Sequence, residues 1–392
     1  MEMAGRTVAS LVGAYPLLAA TLLSAALISS VLVWNYANVF QGDILGYYRI
    51  GTVLPHSPYI APSKGVLAEG EVGYDGQLFL AIAMDPLLTN PHTVASLDNP
   101  RYRYRRILFP ALGYLLSLGH RPLVPFALVL LNACCLLALV AVIGRMLKSS
   151  LQPVWGAVFV LGIPGYWCSL LLTTSDLLAA VLLALSLSLY MGNRYKALAL
   201  CYGLAALTHE TMLVVVGSLA IPLLARRQWR DAAMVLSGCI PALLWNAFVL
   251  WHLPFDGSTS GVVENFALPC AGIVDKLRAA LSGPVSVKWL FDTSSFALLC
   301  ATFCFLVVSP RVDRRLQATL LPCLAAYLGF FALSRMQILS YYLNFLRVYG
   351  SAVLLLVVSL QGTRWPRVAR AMLWAWCAMS MALVAAFSMK VI

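Results

Sequence analysis

Apolar runs of about twenty residues recur along the whole chain, separated by short turns rich in arginine and by two longer, more polar stretches. Wound as helices, such runs match the thickness of a bilayer core. A helix satisfies its own backbone groups without water, and no ten-residue alternating segments suggest a lipid-embedded barrel. The pattern therefore predicts an all-α polytopic membrane protein with spans at about 9–35, 121–143, 152–172, 175–191, 196–209, 211–225, 232–252, 290–309, 316–334, 343–361 and 369–389, eleven in all. The first is too long for the core of a cleaved signal and reads as a retained span. Neither an internal repeat nor a flexible linker divides the sequence, so residues 1–392 are expected to form a single membrane domain.

Two stretches break the rhythm. The first, 36–120, is far longer than a plain connection and therefore a candidate for function. Its pattern predicts two short interfacial helices that do not span. One covers 76–84, with Leu78, Phe79 and Ile82 on one face, and stops before Pro86. The other covers 103–118 and opens "RYRYRRILFP", with arginines at headgroup level and apolar residues at the far end. The second stretch, 253–289, is rich in Gly, Ser and Pro with one amphipathic helix near 273–281. It reads either as a lid over a site or as a connection.

Composition agrees with burial in lipid: 61% of residues are hydrophobic, 11% are charged, and mean hydropathy is +0.85. No stretch is left to form a water-soluble domain. Most of the ten cysteines fall inside apolar runs, where cysteine behaves as a small hydrophobe, and none has metal or redox spacing. The net charge of +12 raises the question of a nucleic-acid partner. With the amino terminus in the cytoplasm, however, fourteen of the 27 basic residues fall in short cytoplasmic turns, the bias that orients membrane proteins. The charge thus reports topology and no nucleic acid is expected. Of fifteen acids, only Glu2, Asp231 and Asp313 fall on that side, which points to acid-dependent chemistry on the outer face.

Asp75, in "GYDGQLFLAIAMDP", stands at the head of a predicted helix. An aspartate there caps free N–H groups, or serves as a general base whose direction the helix fixes; both hold if one oxygen caps and the other faces substrate. Tyr74, Gln77 and Asp85 flank it as candidate lining residues. Asp43, in "QGDILGYYRIG", is either a cap or a second site acid, acting as base, hydroxyl acceptor or metal ligand. Asp176 in "TTSDLL" and the His209–Glu210 pair in "LTHETM" interrupt apolar patterns, and such groups at membrane depth face a cavity or a partner. Arg103, Arg105, Arg106, Arg335 and Arg347 form a cationic set suited to phosphate, since the planar guanidinium matches its oxygens. Snorkelling to lipid headgroups is the alternative, least so for Arg347, which interrupts the start of a span. Metal dependence stays open. There is no Walker loop, dinucleotide fingerprint or metal-spaced His/Cys cluster, so no nucleotide cofactor is expected and a group donor would arrive through the membrane.

Taken in order, "GYDGQLFLAIAMDP", "RYRYRRILFPALGYLLSLG", "PGYWCSLLLTTSD", "LTHETMLVV" and "NFLRVYG" resemble bacterial polytopic proteins of the GT-C glycosyltransferase superfamily. They are distantly similar to the membrane mannosyltransferases of glycosylphosphatidylinositol assembly, whose first luminal loop carries an aromatic-Asp motif. The resemblance covers residues from about 40 to 350. It implies a GT-C-like fold in the bacterial inner membrane, with the site facing the periplasm. It also implies a polyprenyl-phosphate-linked sugar donor, a glycan, lipid or protein acceptor, and an acid of the first outer loop as base. Carried onto this chain that acid is Asp75, with Asp43 as the alternative. The relatives often carry arginine where this chain has Ser175 and His209 before its acids. A competing class is a transporter or flippase for a lipid-linked or anionic solute, for which internal repeats and broken helices at matching positions would speak.

Overall fold

The structure, a computed structural model, describes residues 15–87, 89–253, 265–310 and 313–389. It is all-α: among the described residues the only β features are two isolated bridges, Gly51 with Ala68 and Phe266 with Ser334. Six helices are long and apolar enough to cross a membrane, namely those within Pro16–Val39, Arg121–Ser149, Trp229–His252, Val287–Val308, Arg314–Leu333 and Pro366–Ser388. Two bent pairs raise the number to eight if each is one span: Val154–Gly162 with Pro164–Leu171 at 61°, and Tyr342–Val348 with Gly350–Ser359 at 47°.

The expectation of eleven spans is thereby corrected to between six and eight. Every predicted segment is helical, but three are too short. The helix Asp176–Met191 has 16 residues and Tyr195–Thr208 has 14. At 1.5 Å per residue, neither reaches the roughly 30 Å of a hydrocarbon core. The segment 211–225 is broken into Thr211–Val215, Gly217–Leu219 and Ala220–Ala225. Residues 9–14 of the first predicted span lie outside the described residues.

Local chemistry explains how the long helices tolerate lipid. In Pro16–Trp34 the hydroxyls of Thr21, Ser24 and Ser30 each donate to the carbonyl four residues back, at 2.7–2.8 Å. Their polar atoms are thus satisfied within the helix. Leu18, Leu22, Leu23 and Leu27 on the same helix are exposed, as expected of a perimeter facing acyl chains. Ser286 caps Val287–Val308 by accepting from the Trp289 N–H, and Asp313 caps Arg314–Leu333 by accepting from the Arg315 N–H.

Both predicted interfacial helices differ from expectation. The first exists as Asp75–Met84, but Gly76 through Met84 are all buried, packed against Leu108–Leu116 and Val124–Ser149. The reason is legible in "LFLAIAM": a helix apolar on every face has no polar side to offer an interface and goes inside. The second is two helices, Pro100–Tyr104 and Leu108–Leu116. Pro110 has no N–H for the Arg106 carbonyl and its ring crowds that group, so the helix cannot run through 105–107. The break turns Arg103 and Arg106 toward the interior instead of setting them at headgroup level. In the second long stretch, the amphipathic helix is Ala271–Ser282; residues 254–264, which would carry a lid, lie outside the described residues.

Candidate functional site

The Asp75 helix begins deep in the fold because its second residue is glycine. A methyl group at Gly76 would overlap the Leu172 carbonyl oxygen and crowd Tyr48. Asp75 is thus brought beside the end of Pro164–Leu171. On the facing side, a methyl at Gly165 would overlap the Leu346 carbonyl and press on Arg347. Two glycines therefore let three segments approach closely enough to carry Asp75, Arg347 and Asp176 into one cluster.

The result is a chain of alternating charges. Asp98 takes a two-pronged contact from Arg103, with Nε at 2.8 Å and Nη2 at 2.6 Å. Arg103 Nη1 donates to Asp75 Oδ1 at 2.9 Å. Arg347 Nη1 lies 2.6 Å from Asp75 Oδ2, and its Nε lies 3.5 Å from Asp176 Oδ2. Asp176 also accepts from the Thr174 hydroxyl at 2.7 Å. The Arg347 guanidinium sits 5.0 Å from the Tyr74 ring centroid, and the Tyr74 hydroxyl donates to Asn344 Oδ1 at 3.0 Å.

A second cluster stands alongside. Arg106 donates through Nε to Glu210 Oε2 at 2.8 Å and through Nη2 to Oε1 at 2.6 Å. The Tyr102 hydroxyl donates to the same Oε1 at 2.9 Å and also contacts Arg106. The Thr211 N–H reaches His209 Nδ1 at 3.3 Å, which makes Nδ1 an acceptor and leaves the proton on Nε2. Neither acid is preceded by arginine, yet each gains one from a distant segment: Arg347 for Asp176, and Arg106 for Glu210.

Asp75, Arg103, Arg106, His209, Glu210 and Arg347 line one cavity of about 320 Å³, with Tyr102, Thr211, Asn344 and Gln337 as further polar walls. Phe266 and Phe330 supply an apolar side. A larger groove of about 740 Å³ runs between Pro16–Trp34 and Pro366–Ser388. Its walls are almost wholly apolar, with Arg370 as the one charged group, so it offers no acid–base chemistry.

The electrostatics follow from burial and these partners. Burial alone would raise the Asp75 carboxyl, but Arg103, Arg347 and Arg106 outweigh it and hold the group well below the usual carboxylate range. Glu210 behaves likewise: burial opposes ionisation, and Arg106, then His209, more than offset it. His209 is pushed down by burial first and by Arg106 next, so it is a neutral imidazole.

The remaining sequence candidates lie elsewhere. Asp43 caps the turn Ile44–Tyr48, accepting from the Leu45 N–H at 2.9 Å and the Ser63 N–H at 3.2 Å; it does not share the Asp75 cavity. Gln77 is buried, and its Oε1 accepts from the Gly51 N–H at 2.8 Å, which ties the preceding loop to the helix instead of lining the site. Asp85 organises the next turn, accepting from Thr89 and Asn90. Neither Arg105 nor Arg335 lines the cavity. The Asp75 N-cap role also changes: Asp75 is the first helical residue, Tyr74 is the cap, and both carboxylate oxygens face arginines. Sequence reading missed Asp98, five residues before Arg103, and Asn344, one helical turn before Arg347. Tyr102 was visible only as an aromatic between arginines.

Among the described residues no three His, Cys, Asp or Glu side chains converge as a metal site. The acids of the cavity are matched by guanidinium groups, a donor set that does not fit a divalent cation. Comparison with family models, with curated proteins and with solved structures finds no match to this chain.

Proposed function

We propose that this chain is an integral-membrane glycosyltransferase of GT-C type. It moves a sugar from a polyprenyl-phosphate carrier to an acceptor hydroxyl on the non-cytoplasmic face, in the assembly of a cell-envelope glycan or glycolipid. The observation that carries the reading is one cavity lined by a half-buried, ionised carboxylate, Asp75, and by three arginines, Arg103, Arg106 and Arg347, of which Arg103 and Arg347 touch it. A transfer from a lipid phosphate needs both parts: a proton acceptor for the attacking hydroxyl and cations for the departing phosphate.

The step balances as a single displacement. The acceptor oxygen bonds to the anomeric carbon as its proton passes to Asp75. The bond from that carbon to the phosphate oxygen breaks, and its electron pair leaves with the carrier phosphate toward the arginines. Attack opposite the leaving group inverts the anomeric centre. The neutral His209 Nε2–H and the Tyr102–Glu210 pair are placed to hydrogen-bond sugar or acceptor hydroxyls at the cavity wall.

A second reading, a transporter of a lipid-linked or anionic solute, draws on the two bent helix pairs, since Pro164–Leu171 packs directly on Tyr342–Val348 beside the acids. One experiment separates the two. Purified protein in nanodiscs is given radiolabelled polyprenyl-phosphate sugars and membrane extract as acceptor, with Asp75→Asn in parallel. Transfer by the wild type, reduced about 10²–10⁴-fold in the variant, supports the transferase. No transfer from any donor, with labelled lipid crossing liposome bilayers instead, supports the transporter.

A further inference from the structure

The two arginines that hold Asp75 are committed to different degrees. Arg103 directs three hydrogen bonds, two to Asp98 and one to Asp75. Arg347 is close to two carboxylates, but its Nε and Nη1 are buried donors with no hydrogen-bonded partner. The pair with Asp75 is close, at 2.6 Å, but its N–H is poorly aligned with the carboxylate oxygen, unlike the well-directed bonds that Arg103 makes. Buried donors left in that state carry a desolvation penalty. Among the arginines lining the cavity, Arg347 is the one with such donors, and an anion entering there can reach it.

We infer that a phosphodiester entering the cavity takes Arg347 from Asp75, so that the carboxylate becomes a competent base only when the sugar donor is bound. This rests on the transferase reading above. It removes a chemical conflict within that reading. A carboxylate gripped by guanidinium at both oxygens is ionised but a poor proton acceptor, and a general base works best with a pKa near the working pH.

The charged and titratable groups facing Asp75 are Arg103 with Asp98, Arg347 with Asp176, Arg106 with Glu210, His209, Tyr74 and Tyr102. A bound phosphodiester changes two terms in the same direction: it withdraws one cation from the carboxylate and places a negative charge nearby. Both raise the proton affinity of Asp75. Without the donor the Asp75 carboxylate itself pairs with Arg103 and Arg347. During transfer the acceptor proton goes to the freed Oδ2, and the leaving phosphate stays with Arg347.

The test uses geranyl methyl phosphate, a phosphodiester whose single charge does not titrate in the working range, and purified full-length protein in detergent. Calorimetric titration near pH 5, in buffers of differing ionisation enthalpy, counts protons taken up on binding. The expected result is proton uptake by the wild type. Asp75→Asn should bind the probe about tenfold more tightly, because the nearer of the two carboxylates that compete for Arg347 is gone and only Asp176 at 3.5 Å remains, and without that uptake. Binding with no proton uptake, and no tighter binding by the variant, overturns the inference and leaves the phosphate site standing. No binding by either protein, with unfolding midpoints intact, overturns the inference together with the lipid-phosphate reading. If Asp75→Asn does not fold, the wild-type proton count decides, with His209→Asn subtracting any share of the imidazole.

Discussion

Arg347 and Asp75 are 272 positions apart in the sequence numbering, and their charged atoms approach to 2.6 Å inside the protein. Neither helix supports this contact alone. It depends on Gly165, against which the Leu346–Arg347 backbone packs. Gly165→Ala should therefore separate the pair. The expected cost is about 1–3 kcal/mol of stability from overpacking, with transfer reduced more steeply than the unfolding midpoint alone would explain. Thermal unfolding and the transfer assay, run on one preparation, check this; unchanged transfer would mean that the close approach does not matter.

Asp43 and Asp75 are equivalent candidates by sequence but differ in placement. Asp43 spends its carboxylate on the backbone N–H groups of Leu45 and Ser63. Asp43→Ala should lose about 1 kcal/mol, the usual worth of a cap, and keep its turnover. A loss of transfer comparable to that of Asp75→Asn, in folded protein, would move the base to Asp43.

Acidification should weaken the fold through His209. Its folded pKa lies below its ordinary value because burial and Arg106 disfavour the charged ring. The unfolded chain therefore binds the proton more readily, and stability rises with pH across this window. That contribution is complete above the unfolded value of about 6.5 and declines as pH falls from there toward the folded value. Unfolding midpoints measured from pH 7.5 to 5 should fall in the wild type and fall less in His209→Asn. Equal slopes would remove His209 from the account.

A different acid range applies to the carboxylates. Asp75 and Glu210 have depressed folded values, so their contribution is present above the unfolded range near 4 and is lost only as pH drops below it. Removing a partner acts at neutral pH instead. Arg106→Met leaves Glu210 and Tyr102 without their cation, and should cost about 1–3 kcal/mol, the worth of charge-assisted hydrogen bonds to a carboxylate that is one-third exposed. A double-mutant cycle with Glu210→Gln should show coupling of about 1–3 kcal/mol; a cycle that closes to zero would show the pair to be independent.

By itself the sequence determined the solvent for which this chain is built. Apolar runs near twenty residues, hydroxyls that can be satisfied within a helix, and fourteen of the 27 basic residues gathered in short turns depend on local composition, and composition is local information. The helical segments and the chemical types at the site were legible for the same reason, as ionisable residues interrupting apolar patterns. Tertiary structure decided the rest. Periodicity could not show that 211–225 is broken into Thr211–Val215, Gly217–Leu219 and Ala220–Ala225, although the shortness of 175–191 and 196–209 was already legible. Nor could it show that an all-apolar helix after Asp75 goes inside, that Pro110 breaks the arginine segment at Arg106, or that Arg347 meets Asp75 while Asp43 and Gln77 serve the loop. Those outcomes depend on which backbones approach closely, and here two glycines and one proline govern that approach. Their effect is felt at the Leu172, Leu346 and Arg106 carbonyls, the first two of them far away along the chain.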